Sequence, residues 1–194
     1  MPFGPATERT GIILAGGPSP AADWQWRPGI SMLGQAERIL ARAGVERVIV
    51  SGTESIDPSG IPDLQPGCGP LGGLASVLQK REDIVGHCLL IIPADMPAIN
   101  PRALTRLAEI AEYHGRGARF DLGPLPLALM YTRQLPEHVD AALRDSGSIE
   151  GLALRLEVPI LASLPDDGLD NPASPEELDD IRQRLDDARA ELTS

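Results

Sequence analysis

The sequence predicts a single α/β domain whose sheet is mostly parallel and covered by helices on both faces. A length of 194 residues suits one domain. An apolar run, a turn and an amphipathic helix follow one another three times in the first half of the chain. Such alternation is typical of βαβ units with parallel strands and right-handed crossovers.

The first unit begins after a short arm. Residues 1–9 are rich in Pro and Gly without periodicity, and we expect a flexible N-terminal arm before a domain that spans residues 10–194. The apolar run Gly11–Leu14 predicts a buried first strand. Apolar residues at helical spacing then predict a helix over Met32–Ala43. The β-branched run Val45–Ser51 predicts the second strand.

Two more helices and a third strand follow. Gly69 and Pro70 open a helix, and paired glycines in its first turn suggest that another group approaches its backbone closely. The run Cys88–Ile92 predicts the third strand, and Asn100 and Pro101 cap and open the helix after it.

The second half has a weaker pattern that continues the sheet. Residues 125–131 form an apolar segment, and helices are expected over residues 135–143 and 148–154. A strand is expected over residues 158–164. The last helix begins at Ser174 with a capping box and proline at its first position.

Composition excludes several classes of partner. Lys and Arg total 17 against 28 for Asp and Glu, which gives a net charge of −11 and disfavours a nucleic-acid-binding face. The apolar runs are far shorter than the roughly 20 residues that span a bilayer, and no signal-peptide pattern is present. Two cysteines without metal-ligand spacing fit a reducing compartment. We therefore expect a cytoplasmic protein without nucleic-acid or membrane partners.

The turn after the first strand is a candidate anion site. Leu14, Ala15, Gly16 and Gly17 offer backbone N–H groups with little side-chain obstruction, as close approach to phosphate or a base edge requires. The turn matches neither the dinucleotide fingerprint nor a P-loop, which disfavours hydride transfer and P-loop chemistry.

A single carboxylate follows the third strand. Asp95 lies between Pro93 and Pro97, so its turn is rigid. Ligands of parallel α/β sheets bind at the carboxyl ends of the strands. Mg²⁺ prefers one or two carboxylates together with substrate phosphate oxygens. By position alone, Asp95 fits a Mg²⁺ ligand and an ordinary capping aspartate equally well.

Four motifs together resemble one family. The segments 11–17, 67–74, 93–97 and 171–178 occur in the order and spacing of the molybdenum cofactor guanylyltransferase family, and the similarity extends over residues 10–178. The resemblance implies a Rossmann-like nucleotidyltransferase domain. It implies that GMP is transferred from Mg²⁺-GTP to the terminal phosphate of molybdopterin, with release of pyrophosphate.

The resemblance also assigns roles to residues. Asp95 would hold Mg²⁺ and the nucleotide phosphates, Asp63 would lie on the base or ribose side, and the second half of the chain would hold the pterin. The other nucleotide-binding positions by this resemblance are Leu14, Ala15, Gly16, Gly17, Thr53, Gly69, Pro70 and Asn171. The segment 171–178 corresponds to the family's late motif, and the second asparagine of that motif is replaced here by Ala173.

The first loop, residues 18–29, departs from the family. Its usual phosphate-binding lysine is missing, since the only lysine of the chain is Lys80, and Arg27 is the sole cation of the loop. A unit charge about 4 Å from a phosphate contributes roughly 4 kcal/mol at an effective dielectric near 20, which corresponds to about a thousandfold in rate. We hypothesise that Arg27 partly fills this catalytic role.

Several alternatives stay open at this point. One is a catalytically weakened relative that binds nucleotide, molybdopterin or a partner protein without turnover. Another is a transferase that uses CTP or a different phosphorylated acceptor. Trp24 and Trp26 either stack on a ligand or pin the loop to the body. The expected partners are GTP and molybdopterin, with a molybdoenzyme or cofactor-biosynthesis protein as a further candidate, and the chain is expected to be a monomer or weak homo-oligomer.

Overall fold

A computed structural model describes residues 7–16, 24–52, 60–65, 67–145 and 147–192. The strands are β1 (Arg9–Leu14), β2 (Gln25–Arg27), β3 (Ile30–Ser31), β4 (Arg47–Ser51), β5 (Cys88–Pro93), β6 (Gly117–Phe120), β7 (Leu127–Met130) and β8 (Ile160–Leu161). The helices are α1 (Met32–Arg42), α2 (Gly69–Lys80), α3 (Pro101–His114), α4 (Leu135–Asp145), α5 (Ile149–Arg155) and α6 (Pro175–Leu192).

Six strands form the main sheet in the order β4-β1-β5-β7-β6-β8. Strand β1 pairs in parallel with β4 and β5, and β8 pairs in parallel with β6. Strand β7 runs antiparallel between β5 and β6. The predicted single α/β domain with a mostly parallel sheet is confirmed.

Helices cover both faces of this sheet. Helices α2, α4 and α5 pack on one face, and α1 and α3 pack on the other. Successive residues of β1 and β5 alternate between the two cores, because neighbouring side chains of a strand point to opposite faces. All five side chains of residues 88–92 are fully buried. Burial on both faces fixes β5, and therefore the turn that follows it.

The structure differs from the sequence prediction at four strands. The polar segment after the first turn contains a short hairpin, β2–β3, packed on α6 through Trp26. Strand β6 was not expected, because it is only four residues long and includes Arg119, whose charge is paired with Glu150 at 3.0 Å. Strand β8 is shorter than the expected 158–164, since only Ile160–Leu161 pairs with β6.

The start of the domain also differs slightly. Strand β1 begins at Arg9, inside the range assigned to the arm, and the Arg9 guanidinium pairs with Glu112 of α3 at 2.8 Å. Residues 1–6 lie outside the described residues, so the flexible arm stays a prediction. Within the described part of the chain, every helix is too short or too polar to traverse a lipid bilayer.

Candidate functional site

The turns after β1, β4 and β5 meet at one edge of the sheet, because these three strands are adjacent and parallel. The Ala15 amide donates to the Ser51 carbonyl at 2.9 Å, and the Ala94 amide donates to the Leu14 carbonyl at 3.1 Å. The glycine-containing turn of β1 therefore lies directly beside the turn that carries Asp95, as the candidate site requires.

Two glycines bring their backbones together at this edge. Gly52 has a φ of +89°, and a Cβ atom there would lie 2.4 Å from both the nitrogen and the Cα of Gly16. No side chain fits at such a distance, and the positive φ independently favours glycine. The turn after β1 is thus held against the turn after β4 by direct backbone packing.

The Asp63 carboxylate reaches the same place. A Cβ at Gly16 would lie 2.7 Å from Asp63 Oδ2, and one at Gly73 would lie 3.5 Å from Asp63 Oδ1. The contact at 3.5 Å is ordinary van der Waals packing, and the closer neighbour of a Cβ at Gly73 would be Ser51 Oγ at 3.1 Å, which favours glycine at this position of α2. Asp63 therefore borders the β1 turn and the start of α2.

Ser51 is a residue of the candidate site that the sequence interpretation missed. Its buried hydroxyl donates to the Gly73 carbonyl at 3.0 Å and lies 3.4 Å from Asp63 Oδ1. It thereby links β4, α2 and the Asp63 segment. The available signal was a polar residue at the end of an apolar strand, which we interpreted only as the last residue of that strand.

Asp95 is half-buried and contacts the late motif. The Asn171 side chain hydrogen-bonds the Asp95 carboxylate, while Asp95 Oδ1 is buried without a hydrogen-bond partner among the described residues. Burial raises the pKa of Asp95 above its ordinary value, and hydrogen bonds from its own backbone amide and from the Asn171 side chain oppose part of that rise. The structure therefore joins two predicted site residues that are far apart in the sequence.

An unpartnered carboxylate oxygen in a partly desolvated turn is suited to a hard cation. A buried polar atom without a partner is costly, and a divalent ion would satisfy it. Among the described residues no group of three or more His, Cys, Asp or Glu side chains converges on one point. The donor set around Asp95 fits Mg²⁺, which binds through one or two carboxylates and completes its shell with phosphate oxygens and water.

Arg27 occupies a different position from the other candidates. Its guanidinium forms two hydrogen bonds with Asp186 of α6, at 2.6 and 3.1 Å, and lies 5.5 Å from the Trp26 ring. Among the described residues, no hydrogen bond or ion pair joins it to Asp95. Trp26 is buried against α6, so it pins the hairpin to the body.

The remaining candidates are located only in part. Gly69 and Pro70 begin α2, as predicted, and Gly69 has a φ of +60°. Gly17 and Thr53 lie outside the described residues. A cavity of about 550 Å³ adjoins Asn171, between its loop and α6. The other residues that line this cavity are Asp170, Pro172, Glu177, Asp180, Ile181, Gln183 and Arg184.

Comparison with known proteins gives matches over most of the chain. A family model described as the MobA-like NTP transferase domain matches residues 11–157. The sequence is 33% identical over 150 residues to a molybdenum cofactor guanylyltransferase of Xanthomonas euvesicatoria pv. vesicatoria (strain 85-10). That match covers 74% of this chain and 75% of the relative.

Solved structures share the fold at low sequence identity. The 2-C-methyl-D-erythritol 4-phosphate cytidylyltransferase of Thermus thermophilus is 16% identical, with a TM-score of 0.62 and coverage of 90% of this chain and 97% of that chain. Rv0371C of Mycobacterium tuberculosis H37Rv, solved in complex with manganese, is 20% identical, with a TM-score of 0.58 and coverage of 81% and 89%.

Proposed function

Because the chain belongs to the MobA-like NTP transferase family, we propose that it transfers GMP from GTP to the terminal phosphate of molybdopterin and releases pyrophosphate. The chain is a nucleotidyltransferase. The guanylyl donor and the pterin acceptor are supported by its similarity to the Xanthomonas guanylyltransferase and by four motifs of the sequence.

One observation carries the proposal: the Asp95–Asn171 contact lies beside the backbone-lined turn of β1. Asp95 brings a carboxylate, Gly16 brings a turn without a side chain, and both are at the carboxyl edge of adjacent parallel strands. Nucleotides bind at this edge in open α/β sheets. A triphosphate that lies along the β1 turn would present its oxygens toward Asp95.

Mg²⁺ is the cofactor we propose, with Asp95 as its protein ligand. When bound, the ion neutralises charge on the phosphate oxygens and polarises the phosphorus–oxygen bond that breaks. The orphaned Oδ1 of Asp95 supports this assignment. The manganese complex of Rv0371C, a protein of the same fold, is consistent with a divalent ion.

The chain's own residues mainly position the reactants. A phosphate monoester acceptor has a second pKa near 6 and is therefore largely ionised at neutral pH, so no protein base is needed to activate it. Asn171 fixes one side of the Asp95 carboxylate. We propose that Asp63, which lies beside Gly16, binds the ribose or base. Alignment and charge neutralisation then provide most of the rate enhancement.

Arg27 is the proposed substitute for the missing lysine. Its guanidinium must leave Asp186 before it can reach a phosphate. Since this ion pair is partly exposed, breaking it costs little, about 1 kcal/mol or less. If Arg27 helps to bind the triphosphate, Arg27→Ala weakens GTP binding. An unchanged GTP affinity would dismiss this role.

We further propose that the protein works in the cytoplasm, with GTP and molybdopterin as its small-molecule partners. A molybdoenzyme or cofactor-biosynthesis protein is the proposed recipient of the product. The chain is proposed to act as a monomer or weak homo-oligomer, a state that gel filtration with light scattering would measure.

The experiment is a transfer assay with labelled nucleotide. The protein is incubated with Mg²⁺ and α-labelled GTP or CTP, with and without molybdopterin, and a parallel sample contains EDTA. We expect a labelled dinucleotide only with GTP, molybdopterin and Mg²⁺ together. Product from CTP alone would reassign the nucleotide, and GTP binding without product would indicate a relative that does not turn over.

A further inference from the structure

A second cavity lies on the α1 and α3 side of the sheet. It has a volume of about 310 Å³ and is enclosed by the β2–β3 hairpin, α1, the segment 97–101 that follows the Asp95 turn, and α6. Of its lining residues, only Arg27 has a role in the function proposed above.

Two free cations border this cavity. Arg38 and Arg42 are four residues apart on α1, so they lie on the same face of the helix. Both are exposed, and neither forms an ion pair or hydrogen bond with any residue that the structure describes. Most other arginines of the described segments have an acidic partner, for example Arg47, which pairs with Asp83 at 2.6 Å.

The surroundings of these two arginines favour an anion. Like charges four residues apart on a helix repel each other, and a bound anion would remove that repulsion. Arg27 lines the same cavity while paired with Asp186, and Asp166 is the one carboxylate among the lining residues. With Arg27 neutralised by Asp186, the two guanidinium groups of α1 against one carboxylate leave the lining positive in a chain of net charge −11.

The remaining wall is apolar. It is formed by side chains from all four surrounding segments, and those that are mostly carbon are Trp26, Ile30, Ile39, Pro97, Ala98, Ile99 and Leu185. A ligand that fills this space would therefore carry its charge at one end, toward the arginines, and an apolar body at the other.

We propose that this cavity is a second anion site, which binds the phosphate group of a small phosphomonoester through Arg38 and Arg42. A dianionic phosphate matches two guanidinium groups in charge, and each guanidinium can donate two parallel hydrogen bonds to it. The organic part of the ester packs on the apolar wall. The site is distinct from the nucleotide-binding edge at Gly16 and Asp95.

Calorimetric titration of the full chain with phenyl phosphate and with inorganic phosphate, in EDTA, tests this proposal. We expect phenyl phosphate to bind, and the Arg38→Ala/Arg42→Ala double variant to lose about tenfold or more in affinity. Arg144→Ala, which removes an exposed arginine of α4, is the matched control and should bind like the wild type. Equal binding by all three proteins would overturn the proposal.

Two further comparisons identify the source of the ligand and distinguish this cavity from the nucleotide-binding edge. Tighter binding of phenyl phosphate than of phosphate supports an organic phosphomonoester, whereas equal binding assigns the site to free phosphate. Asp95→Asn should keep its affinity for phenyl phosphate, and the double arginine variant should keep its affinity for Mg²⁺-GTP. Loss of phenyl phosphate binding in Asp95→Asn would place the ligand at the nucleotide edge and overturn a separate site.

Discussion

The Asp95 carboxylate combines partial burial with one oxygen that has no hydrogen-bond partner among the described residues. Such an arrangement is unfavourable for folding and useful for binding a cation, because the ion replaces the lost hydration. At the residue scale, the proposed function therefore implies that stability and activity oppose each other at this position.

Asp95→Asn should stabilise the metal-free protein at neutral pH by about 1 kcal/mol, since a neutral amide costs less to bury than a carboxylate. The same variant should lose metal-dependent transfer. Thermal unfolding in EDTA measures the first effect, and the transfer assay measures the second. A less stable variant, or one that retains full activity, would show that Asp95 does not have this role.

The pH dependence of this stability difference has a definite sign. Burial raises the pKa of Asp95 in the folded state above its ordinary value of 3.8, so the folded protein binds this proton more tightly than the unfolded chain. The wild type thus loses stability as pH rises from 3.8 through the raised pKa. We expect the advantage of Asp95→Asn to disappear below that window, as unfolding curves at several pH values would reveal.

Asn171→Ala should shift the acidic limb of the pH–rate profile to higher pH. The Asn171 hydrogen bond lowers the pKa of Asp95, so its removal lets that pKa rise further, and more of the carboxylate is protonated at a given pH. The profile of kcat/KM against pH measures the shift. Gln183→Ala, at the same cavity, is the control, and an equal shift in both variants would contradict a specific contact.

Gly52→Ala should be more damaging than Gly44→Ala. Both glycines have a positive φ, of +89° and +80°, so both variants incur the cost of backbone strain, about 1 kcal/mol. Only Gly52 would also place a methyl group 2.4 Å from Gly16, whereas the space around Gly44 is open. We expect Gly52→Ala alone to lose nucleotide binding, measured by titration with GTP. Similar losses in both would indicate that strain, and not backbone contact, matters.

At the element scale, helix α6 holds the hairpin of the first loop. Arg182 donates hydrogen bonds to the carbonyls of Gln25 and Trp26, and its guanidinium lies 5.8 Å from the Trp26 ring. With the Arg27–Asp186 pair, these contacts attach β2 to α6 at several points. The first loop is thereby connected to the C-terminal helix, which follows directly from the Asn171 motif.

Arg182→Ala should release the hairpin and expose Trp26. The expected result is a red shift of tryptophan fluorescence and faster proteolysis within residues 24–32, because the carbonyls of β2 lose their donor. Arg184→Ala removes a guanidinium of the same helix that pairs with Asp170, and it should leave the spectrum unchanged. If both spectra stay the same, Arg182 does not hold the hairpin.

The elements that could be predicted from the sequence are those with strong local signals. Capping by Asn100 and the apolar stripe of α3 predicted that helix, and the run at residues 88–92 predicted β5. The two-stranded hairpin could not be predicted, since its burial depends on α6, which lies about 150 residues away in the chain. Strand β6 was missed for a similar reason, because the charge of Arg119 is neutralised only by a distant glutamate.

At the scale of the whole molecule, the candidate site also combines residues that the sequence predicts with contacts that only the structure reveals. Sequence motifs named Asp95, Gly16 and Asn171 separately, and the structure adds that Asn171 touches the Asp95 carboxylate. It also adds Ser51, which only long-range packing could reveal. The second half of the chain, by sequence the most irregular part, thus contributes Asn171 to the candidate site at the ends of β1 and β5.

The loop before the Asn171 motif is attached firmly to the first half. Asp167 is buried, forms an ion pair with Arg106 of α3 at 3.1 Å, and accepts a hydrogen bond from the Leu164 amide at 2.7 Å. The Asp167 carbonyl also accepts the Asn100 amide at 2.8 Å. These contacts place the late motif over the turn that follows β5.

The most direct test of whether Asp95 binds a metal–triphosphate complex is a titration with Mn²⁺, which is a spectroscopic substitute for Mg²⁺. Electron paramagnetic resonance would follow free Mn²⁺ during titration of the protein in the presence of a non-hydrolysable GTP analogue. We predict that the wild type binds the ion together with the analogue and that Asp95→Asn does not. Equal binding of Mn²⁺ and the analogue by folded Asp95→Asn would contradict the assignment of the site.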